Sequence, residues 1–276
     1  MRIVRDVAAV RAAVAGAGRV GLVPTMGAFH EGHLSLIRAA RQACDLVVVW
    51  LFVNPTQFNE AADLAGYPRD EERDARLAAE CGADILFAPP VEEVYPDGFA
   101  TTVTVSGIAD VLEGAHRPGH FDGVATVVAK MFAMVAPEVA YFGAKDAQQV
   151  AVVRRMVTDL NLPVRIEVLP IVREPDGLAM SSRNVRLDPD QRRRATVLHR
   201  GLAAGRAAVA AGERDAGAAA AVVARELARA SITAEYIAVV DPDTFAPLER
   251  IERPALIALA ARVGPVRLID NMEVAP

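Results

Sequence analysis

Between residues 20 and 170 the chain alternates short, wholly apolar runs with amphipathic stretches of helical spacing. Runs that are apolar throughout favour strands buried on both faces, as in a parallel sheet covered by helices on each side. We therefore predict an α/β fold with a doubly wound, Rossmann-like parallel sheet. The predicted strands are VGLVP, LVVVWLFV, DILFAP, EVAYFG and VRIEVLP, and the predicted helices span residues 34–44, 71–81, 123–135 and 146–160.

Two parts of the chain depart from this rhythm. The segment TTVTVSG, residues 101–107, is predicted to be an edge strand or an extended insertion. After residue 172 a polar loop precedes a long helix, for which Asp188 is the expected N-cap and Pro189 the first position. A second helix near 216–230, the strand AEYIAVVDP and two strands joined at Gly264-Pro265 follow. We predict two domains, residues 1–172 and a smaller α+β domain at 173–276.

Composition excludes several classes of protein. The net charge of −5 argues against a nucleic-acid partner. Charged residues interrupt the N-terminal stretch, unlike a signal peptide, and the longest apolar run, LVVVWLFV, is too short to span a membrane. Cys44 and Cys81 are isolated, so we expect reduced thiols. We expect a soluble, cytoplasmic protein with no membrane partner.

Polar clusters follow three of the predicted strands. PTMGAFHEGH follows the first, NPTQF the second, and GAKDAQQ the strand that contains EVAYFG. Ligands of doubly wound sheets bind in the crevice beyond the carboxyl ends of the strands. These clusters are therefore expected to converge on one ligand site.

The histidines of the first cluster, His30 and His33, allow three interpretations: a metal site, a phosphate site or a helix cap. The His-Glu-Gly-His spacing is one residue short of the helical zinc motif, so we do not expect protein-bound metal. A helix N-terminus offers unpaired N–H groups and a positive dipole end, which favour an anion. Gly27 and Gly32 would let the backbone approach such a ligand closely. We favour phosphate, with a simple cap as the alternative.

Two later clusters carry groups suited to phosphate. Ser181, Ser182 and Arg183 offer hydroxyl and guanidinium donors. Lys145 supplies a positive charge, and Asp146 is suited to a ribose hydroxyl or magnesium. Each cluster also has a plainer interpretation. The serine-arginine segment is also typical of a commonplace polar loop, and Lys145-Asp146 of an exposed ion pair. The sequence has neither G-x-x-x-x-G-K-[ST] nor G-x-G-x-x-G after a strand, which argues against a P-loop kinase and a dinucleotide dehydrogenase.

In combination, these motifs resemble a known family. His-x-Gly-His after the first strand and a later Met-Ser-Ser-Arg loop resemble the nucleotidyltransferase superfamily. PTMGAFHEGH, FVNPTQF, YPRD, RPGHF, GAKDAQQ and DGLAMSSRN, in this order, are similar to the pantothenate synthetase (pantoate–β-alanine ligase) family. The resemblance implies ATP-dependent ligation of (R)-pantoate and β-alanine through a pantoyl adenylate, with release of AMP and pyrophosphate. It also implies Mg²⁺ with ATP as co-substrate, a homodimer, and a lid role for residues 173–276.

The resemblance also assigns roles to residues of this chain. His30 and His33 would face the phosphates, with His33 as proton donor, and Lys145 would lie near the α-phosphate. The implied catalytic residues are His30, His33, Lys145, Ser181, Ser182 and Arg183. The implied ATP-binding residues are Met26, Gly27, Ala28, Phe29, His30, Glu31, Gly32, His33, Gly143, Ala144, Lys145, Asp146, Val172, Met180, Ser181, Ser182 and Arg183. The implied substrate-binding residues are Gln57, Gln149, Pro24, Thr25, Met26 and Asn54, with Arg117 and His120 as further candidates.

The chain departs from the family pattern at a few positions. Phe29 replaces a usual leucine, Thr56 a methionine, Ala144 a glutamate, Ala147 an aromatic residue, and Arg73-Asp74 an acidic pair, where Glu72 would compensate on the magnesium side. Two rival functions remain: an adenylyltransferase that leaves AMP on its product, and a non-catalytic nucleotide-binding module. The paired glutamines and FVNPTQF favour the ligase over the first, and Lys145 and His33 weigh against the second.

Overall fold

The computed structural model describes residues 1–59 and 61–276, which form two compact units: residues 1–144 with 152–170, and residues 145–151 with 171–276. The strands are β1 (Arg2–Val4), β2 (Val20–Thr25), β3 (Leu46–Leu51), β4 (Ile85–Phe87), β5 (Val139–Gly143), β6 (Arg165–Leu169), β7 (Ala234–Val240), β8 (Ala255–Val263) and β9 (Val266–Val274). The helices are α1 (Val7–Val14), α2 (Glu31–Ala43), α3 (Ala61–Ala65), α4 (Glu71–Glu80), α5 (Val91–Val94), α6 (Glu113–His116), α7 (His120–Val135), α8 (Ala147–Asp159), α9 (Pro189–Ala195), α10 (Val197–Ala210) and α11 (Ala216–Arg229).

The first unit is built on a parallel sheet. Within the described residues, this sheet has six strands in the order β1-β4-β3-β2-β5-β6. The predicted fold class is confirmed, and β2 to β6 are the five strands that the apolar runs predict. β1 was not predicted, because three residues carry too little pattern; it adds to the sheet through pairs such as Ile3 with Leu86.

The strand order fixes where this sheet can hold a ligand. β2 pairs with β3 on one side and with β5 on the other, and the chain proceeds away from β2 in both directions. This is the switch point of a doubly wound sheet, where loops diverge and leave a crevice beyond the strand ends. The loop that leaves β2 is residues 26–30, the middle of PTMGAFHEGH, so the topology places this cluster where ligands of this fold class bind.

Helix α2 covers the sheet next to this crevice. It begins at Glu31, three residues before the predicted start at residue 34. Leu36, Ile37 and Ala40 form its buried face, as the helical spacing predicts, and pack in one core with residues of β2 and β3. The earlier start matters for function, because it places both histidines at the helix N-terminus.

One prediction for the first unit is wrong in part. Residues 101–105 form no strand, so TTVTVSG is an extended insertion rather than an edge strand. The amide of Val103 donates to the hydroxyl of Thr126 on α7, at 2.9 Å, where a strand would have donated to a neighbouring backbone.

The second unit contains an antiparallel sheet with helices α10 and α11. Its strands run in the order β7-β8-β9, and β8 turns into β9 through Gly264, whose φ of 58° lies in the left-handed region that glycine tolerates. The core includes Leu198, Leu202 and Val223, all buried. The predicted turn and both strands are confirmed; the predicted boundary between independent domains at residue 172 stays a prediction.

The long helix predicted after Asp188 is broken. Asp188 caps α9 through its carboxylate and Pro189 is the first residue, as predicted, but α9 ends at Ala195 and α10 begins at Val197. The hydroxyl of Thr196 donates to the carbonyl of Arg193 at 2.8 Å, a local bond that competes with the helical pattern.

Two further observations concern the cysteines and the apolar helices. Cys44 and Cys81 are free and lie at the C-caps of α2 and α4. Among the described residues, the structure contains no helix long and apolar enough to cross a membrane.

Candidate nucleotide and substrate site

His30 and His33 close a reciprocal cap at the N-terminus of α2. Nδ1 of His30 accepts a hydrogen bond from the amide of Gly32 at 3.2 Å, and Nδ1 of His33 accepts from the amide of His30 at 3.4 Å. The two rings lie 4.1 Å apart between centroids. Histidine thus takes both side-chain roles of a capping box, which serine and glutamate usually fill.

This cap sets the tautomer of both rings. A ring nitrogen that accepts a hydrogen bond carries no proton, so a neutral imidazole in this arrangement carries its proton on Nε2. Each ring is then a donor at Nε2 while it caps the helix at Nδ1. Capping and phosphate binding are therefore compatible roles rather than alternatives, because they use different nitrogens.

The backbone between β2 and α2 is held by a buried carboxylate. Oδ2 of Asp74 accepts from the amide of Ala28 at 2.7 Å, and Oδ1 accepts from the amide of Phe29 at 2.8 Å. Ala28 has a φ of 54°, unusual for a residue with a side chain. The guanidinium of Arg73 donates to the carbonyl of Phe29 at 3.1 Å. The start of α4 thus fixes the loop, with bonds that reach across 46 residues of sequence.

The charge of Asp74 is opposed by its burial. Desolvation raises the pKa of the Asp74 carboxyl, while the amides of Phe29 and Ala28 and the charge of Arg73 lower it, and the raising effect is the larger. Gly27 adds a second constraint, since its φ is 88° and a Cβ there would lie 2.9 Å from Leu51 Cδ1 and 3.0 Å from Asp74 Oδ2. Only glycine fits at this position without displacing the carboxylate.

Phe29 and Thr25 are both buried. The Phe29 side chain packs in the core with residues of β2 and α2. The hydroxyl of Thr25 donates to the carbonyl of Trp50 at 2.8 Å. Pro24 on the same strand is only half-buried.

Gln57 and Asn54 lie in the turn that follows β3. Nδ2 of Asn54 donates to Gln57 Oε1 at 3.1 Å, and Gln57 Nε2 lies 2.9 Å from the sulfur of Met26. Asn54 is buried, and its Oδ1 accepts from the hydroxyls of Tyr95 at 2.7 Å and Thr56 at 2.9 Å. The first unit therefore brings Gln57, Asn54 and Met26 together; their role in substrate binding stays a prediction.

The backbone of Gln57 is fixed by His120 and Arg117. The carbonyl of Gln57 accepts from Arg117 Nη2 at 3.1 Å and lies 2.9 Å from His120 Nδ1, while Arg117 Nη1 lies 3.1 Å from His120 Nε2. Arginine can only donate, so Nε2 of His120 accepts and its Nδ1 carries the proton to the carbonyl. Both residues thus orient Gln57 through its backbone.

Gly123 on α7 permits the same turn to pack closely. A Cβ at this position would lie 2.5 Å from the carbonyl oxygen of Thr56 and 3.0 Å from the amide of Gln57. The carbonyl of Gly123 also accepts from Asn54 Nδ2 at 3.1 Å. Sequence reasoning missed Gly123 and Tyr95, because each acts through a contact between distant parts of the chain.

Gly143 ends β5 and, with Ala144, belongs to the first unit, whereas the candidates from Lys145 onward lie in the second unit. Lys145 and Asp146 form an ion pair at 3.6 Å in a 3₁₀ turn before α8, and Gln149 lies half-buried in the first turn of that helix. Val172 and Met180 face each other across a hairpin, with Met180 N donating to the Val172 carbonyl at 3.0 Å.

The serine and arginine of the later loop follow this hairpin. Ser181 caps a 3₁₀ turn spanning Ser182–Arg186, its hydroxyl oxygen accepting from the amide of Arg183 at 3.2 Å. The hydroxyl and guanidinium groups predicted to hold phosphate are therefore presented from one short, ordered turn.

Comparisons with known proteins identify close relatives over the whole chain. The family model described as pantoate-beta-alanine ligase matches residues 2–273. A pantothenate synthetase of Moorella thermoacetica is 55% identical over 282 residues, covering 99% of this chain and 98% of the relative. The crystal structure of pantothenate synthetase from Thermus thermophilus has a TM-score of 0.96 at 50% identity, with 100% of both chains covered. That of the Francisella tularensis ligase, complexed with beta-gamma ATP and beta-alanine, has a TM-score of 0.83 at 33% identity, with 99% and 97% covered.

The variant Asp74→Asn tests the loop clamp. One acceptor oxygen becomes an NH₂ group facing a backbone amide, so we expect a loss of about 1–3 kcal/mol in the free energy of unfolding. Because the folded state raises the pKa of Asp74 above 3.8, wild type takes up a proton on folding near that value. Its stability relative to the variant should therefore fall as pH rises from 3.8 through the folded-state pKa. Denaturant titrations at several pH values measure this; a difference independent of pH would contradict the assignment.

The variant Gly123→Ala tests the close approach of α7 to the Thr56–Gln57 backbone. Alanine ordinarily stabilises a helix interior by about 1 kcal/mol over glycine. Here we expect destabilisation of about 1–3 kcal/mol, because the added methyl group meets backbone atoms that cannot rotate away. The matched control is Gly217→Ala on α11, where only the Asp215 side chain lies within 4 Å. Equal effects of the two substitutions on thermal unfolding would refute the packing argument.

Proposed function

This chain belongs to the pantoate–β-alanine ligase family, and we propose how its residues carry out the reaction of that family. It is an ATP-dependent, amide-forming ligase that joins pantoate to β-alanine. The observation that carries the assignment is the family match over residues 2–273, together with the histidine-capped loop at the switch point of the sheet. The roles of individual residues below are our proposal.

The reaction proceeds in two displacements. A carboxylate oxygen of pantoate attacks the α-phosphorus of ATP; the P–O bond to the β-phosphate breaks and pyrophosphate leaves. The neutral amine of β-alanine then attacks the acyl carbon of the pantoyl adenylate, loses a proton, and AMP leaves with the bonding pair of the C–O bond. Adenylation is needed because a free carboxylate has no good leaving group.

The first step concentrates negative charge on the phosphates, and three groups of donors meet it. The Nε2–H groups of His30 and His33, at the positive dipole end of α2, face the phosphates, and His33 is the proton donor. Lys145 neutralises the α-phosphate, and Ser181–Arg183 close over the nucleotide. A preorganised donor of this kind contributes roughly 3 kcal/mol to the transition state.

The loop Met26–His33 lines the nucleotide in this proposal. The amides of Ala28, Phe29, His30 and Gly32 are bonded inside the protein, so they shape the loop rather than bind ATP. Gly143 to Asp146 and the backbone of Val172 complete the nucleotide contacts in this proposal.

Pantoate is held by neutral amides. Gln57 and Gln149 donate to its carboxylate and accept from its hydroxyls, which amides can do at once. Support for Gln57 is its fixed setting, with the carbonyl held by Arg117 and His120 and the side chain bonded to Asn54. Pro24, Thr25 and Met26 supply the apolar wall for the dimethyl group.

Magnesium accompanies ATP in this proposal. Among residues 1–59 and 61–276, no group of three or more His, Cys, Asp or Glu side chains is placed to hold a metal ion. Mg²⁺ in nucleotide sites is bound largely by phosphate oxygens and water and needs only one or two carboxylates. Asp146, beside Lys145, is the candidate carboxylate, and Asp74 is committed to the loop backbone instead.

A homodimer, a cytoplasmic location and a lid role for residues 173–276 also belong to the proposal. Their support is the family resemblance of the motifs. The net charge of −5 separately disfavours nucleic acid as a partner. Light scattering of the purified protein tests the dimer, and a single-protomer mass would remove it.

The direct test uses purified protein with ATP, magnesium, pantoate and β-alanine, and the variant Lys145→Ala. Wild type should form AMP only with both pantoate and β-alanine present. Lys145→Ala should lower pantoate-dependent pyrophosphate exchange about 100-fold or more, because a charge facing the α-phosphate is lost. The matched control is Lys130→Ala, the other lysine, whose ammonium lies 4.7 Å from the ring centroid of Phe99. Near-normal exchange in Lys145→Ala would remove this residue from the mechanism.

A further inference from the structure

Residues 172–180, which lead into Ser181–Arg183, form a hairpin within the second unit. Arg173 pairs antiparallel with Ala179, and the amide of Glu174 donates to the carbonyl of Leu178 at 2.8 Å. Gly177 closes the turn with a φ of 91°. The proposed phosphate donors therefore follow directly on an ordered element.

This hairpin is fixed to strand β9 by an ion pair between half-buried Arg173 and buried Asp270. Asp270 on β9 is buried, and its two carboxylate oxygens accept from Arg173 at 2.7 and 3.0 Å. The same guanidinium donates to the carbonyl of Gly177 at 3.1 Å. Paired, bidentate contacts of this kind fix orientation as well as distance.

The next residue of β9 reaches the proposed catalytic lysine. Asn271 is buried, and its Nδ2 donates to the carbonyl of Lys145 at 2.9 Å. The amide of Asn271 donates to Asp270 Oδ1 at 2.8 Å, so the carboxylate that fixes the hairpin also fixes the backbone of Asn271. Because the bond from Asn271 ends on a backbone carbonyl, it constrains the 3₁₀ turn of Lys145 itself rather than a mobile side chain.

We propose that Asn271 is a positioning residue for Lys145. Asn271 acts on the reaction only through Lys145. By holding the carbonyl of Lys145, it fixes the backbone from which the lysine side chain extends. Through Asp270 and Arg173, the same strand holds the hairpin that leads into Ser181–Arg183, and the two sets of phosphate donors are presented from one support. The inference rests on the proposed role of Lys145.

The test is a double-mutant cycle of Asn271→Ala and Lys145→Ala, with pantoate-dependent pyrophosphate exchange as the readout. Asn271→Ala should lower kcat about 10- to 100-fold with little change in the KM for pantoate, since a misplacement of about 1 Å costs a rate factor of that order. In the Lys145→Ala background the same substitution should cause no further loss, because the group it positions is gone.

A control variant separates positioning from a general effect on β9, and a second substitution at Asn271 serves as a replacement for the first. Arg267→Gln removes the half-buried ion pair with Glu235 at the other end of β9, at 2.7 Å, and should leave exchange unchanged. Asn271→Asp keeps the size of the side chain but removes the donor, and applies the same test if Asn271→Ala does not fold.

The outcomes are distinct. A lower kcat in Asn271→Ala, with no further decrease when the same substitution is made in the Lys145→Ala background, supports the inference. Equal losses in both backgrounds, or wild-type kcat in Asn271→Ala and Asn271→Asp, overturn it while leaving the role of Lys145 intact. No pantoate-dependent exchange in wild type overturns the inference together with the function on which it rests.

Discussion

The carboxylate of Asp74 is the contact on which the candidate site depends. A chain that leaves β2 must reverse within a few residues to start α2, and it does so through Gly27 and Ala28, both at positive φ. Such conformations persist only where surrounding contacts hold them. Asp74 supplies those contacts with two hydrogen bonds to successive amides. The arrangement requires the burial of a carboxylate, and desolvation raises the pKa of that carboxyl group. The helix N-terminus is thereby set before a ligand arrives.

The two histidines complete the same arrangement, because each uses one ring nitrogen in the helix cap and leaves the other to act as a donor. Nδ1 of His30 and of His33 is used inside the protein, in the cap of α2. This use fixes the rings and puts the proton of each neutral ring at Nε2. In the proposed mechanism, a loop fixed by Asp74 and rings fixed by the cap would lower the reorganisation needed when phosphate charge develops, which is the physical basis of electrostatic catalysis. Gln57 is held in a comparable way, through its carbonyl by Arg117 and His120 and through its side chain by Asn54.

Sequence alone predicted the sheet well, because strands buried on both faces are apolar throughout and differ in pattern from the helices between them. It failed where a local contact outweighs the pattern: β1 is too short to show one, residues 101–105 bond to Thr126 instead of a strand, and Thr196 interrupts an otherwise continuous helix. In the site, the polar types after the strand ends pointed to His30 and Gln57. The part played by Asp74 was not predicted, since it depends on bonds across 46 residues, and the sequence suggested only a departure near a magnesium contact.

The most direct test of this account is the protonation of the two rings, measured by ¹⁵N NMR of histidine-labelled protein at neutral pH, with His30→Gln and His33→Gln used to assign the signals. The account predicts that Nδ1 of both rings is unprotonated in the free protein and stays so with ATP, while the Nε2–H signals shift on ATP binding. Protonated Nδ1 in the free protein, or Nε2 signals that do not respond to ATP, would contradict the division of roles between cap and phosphate.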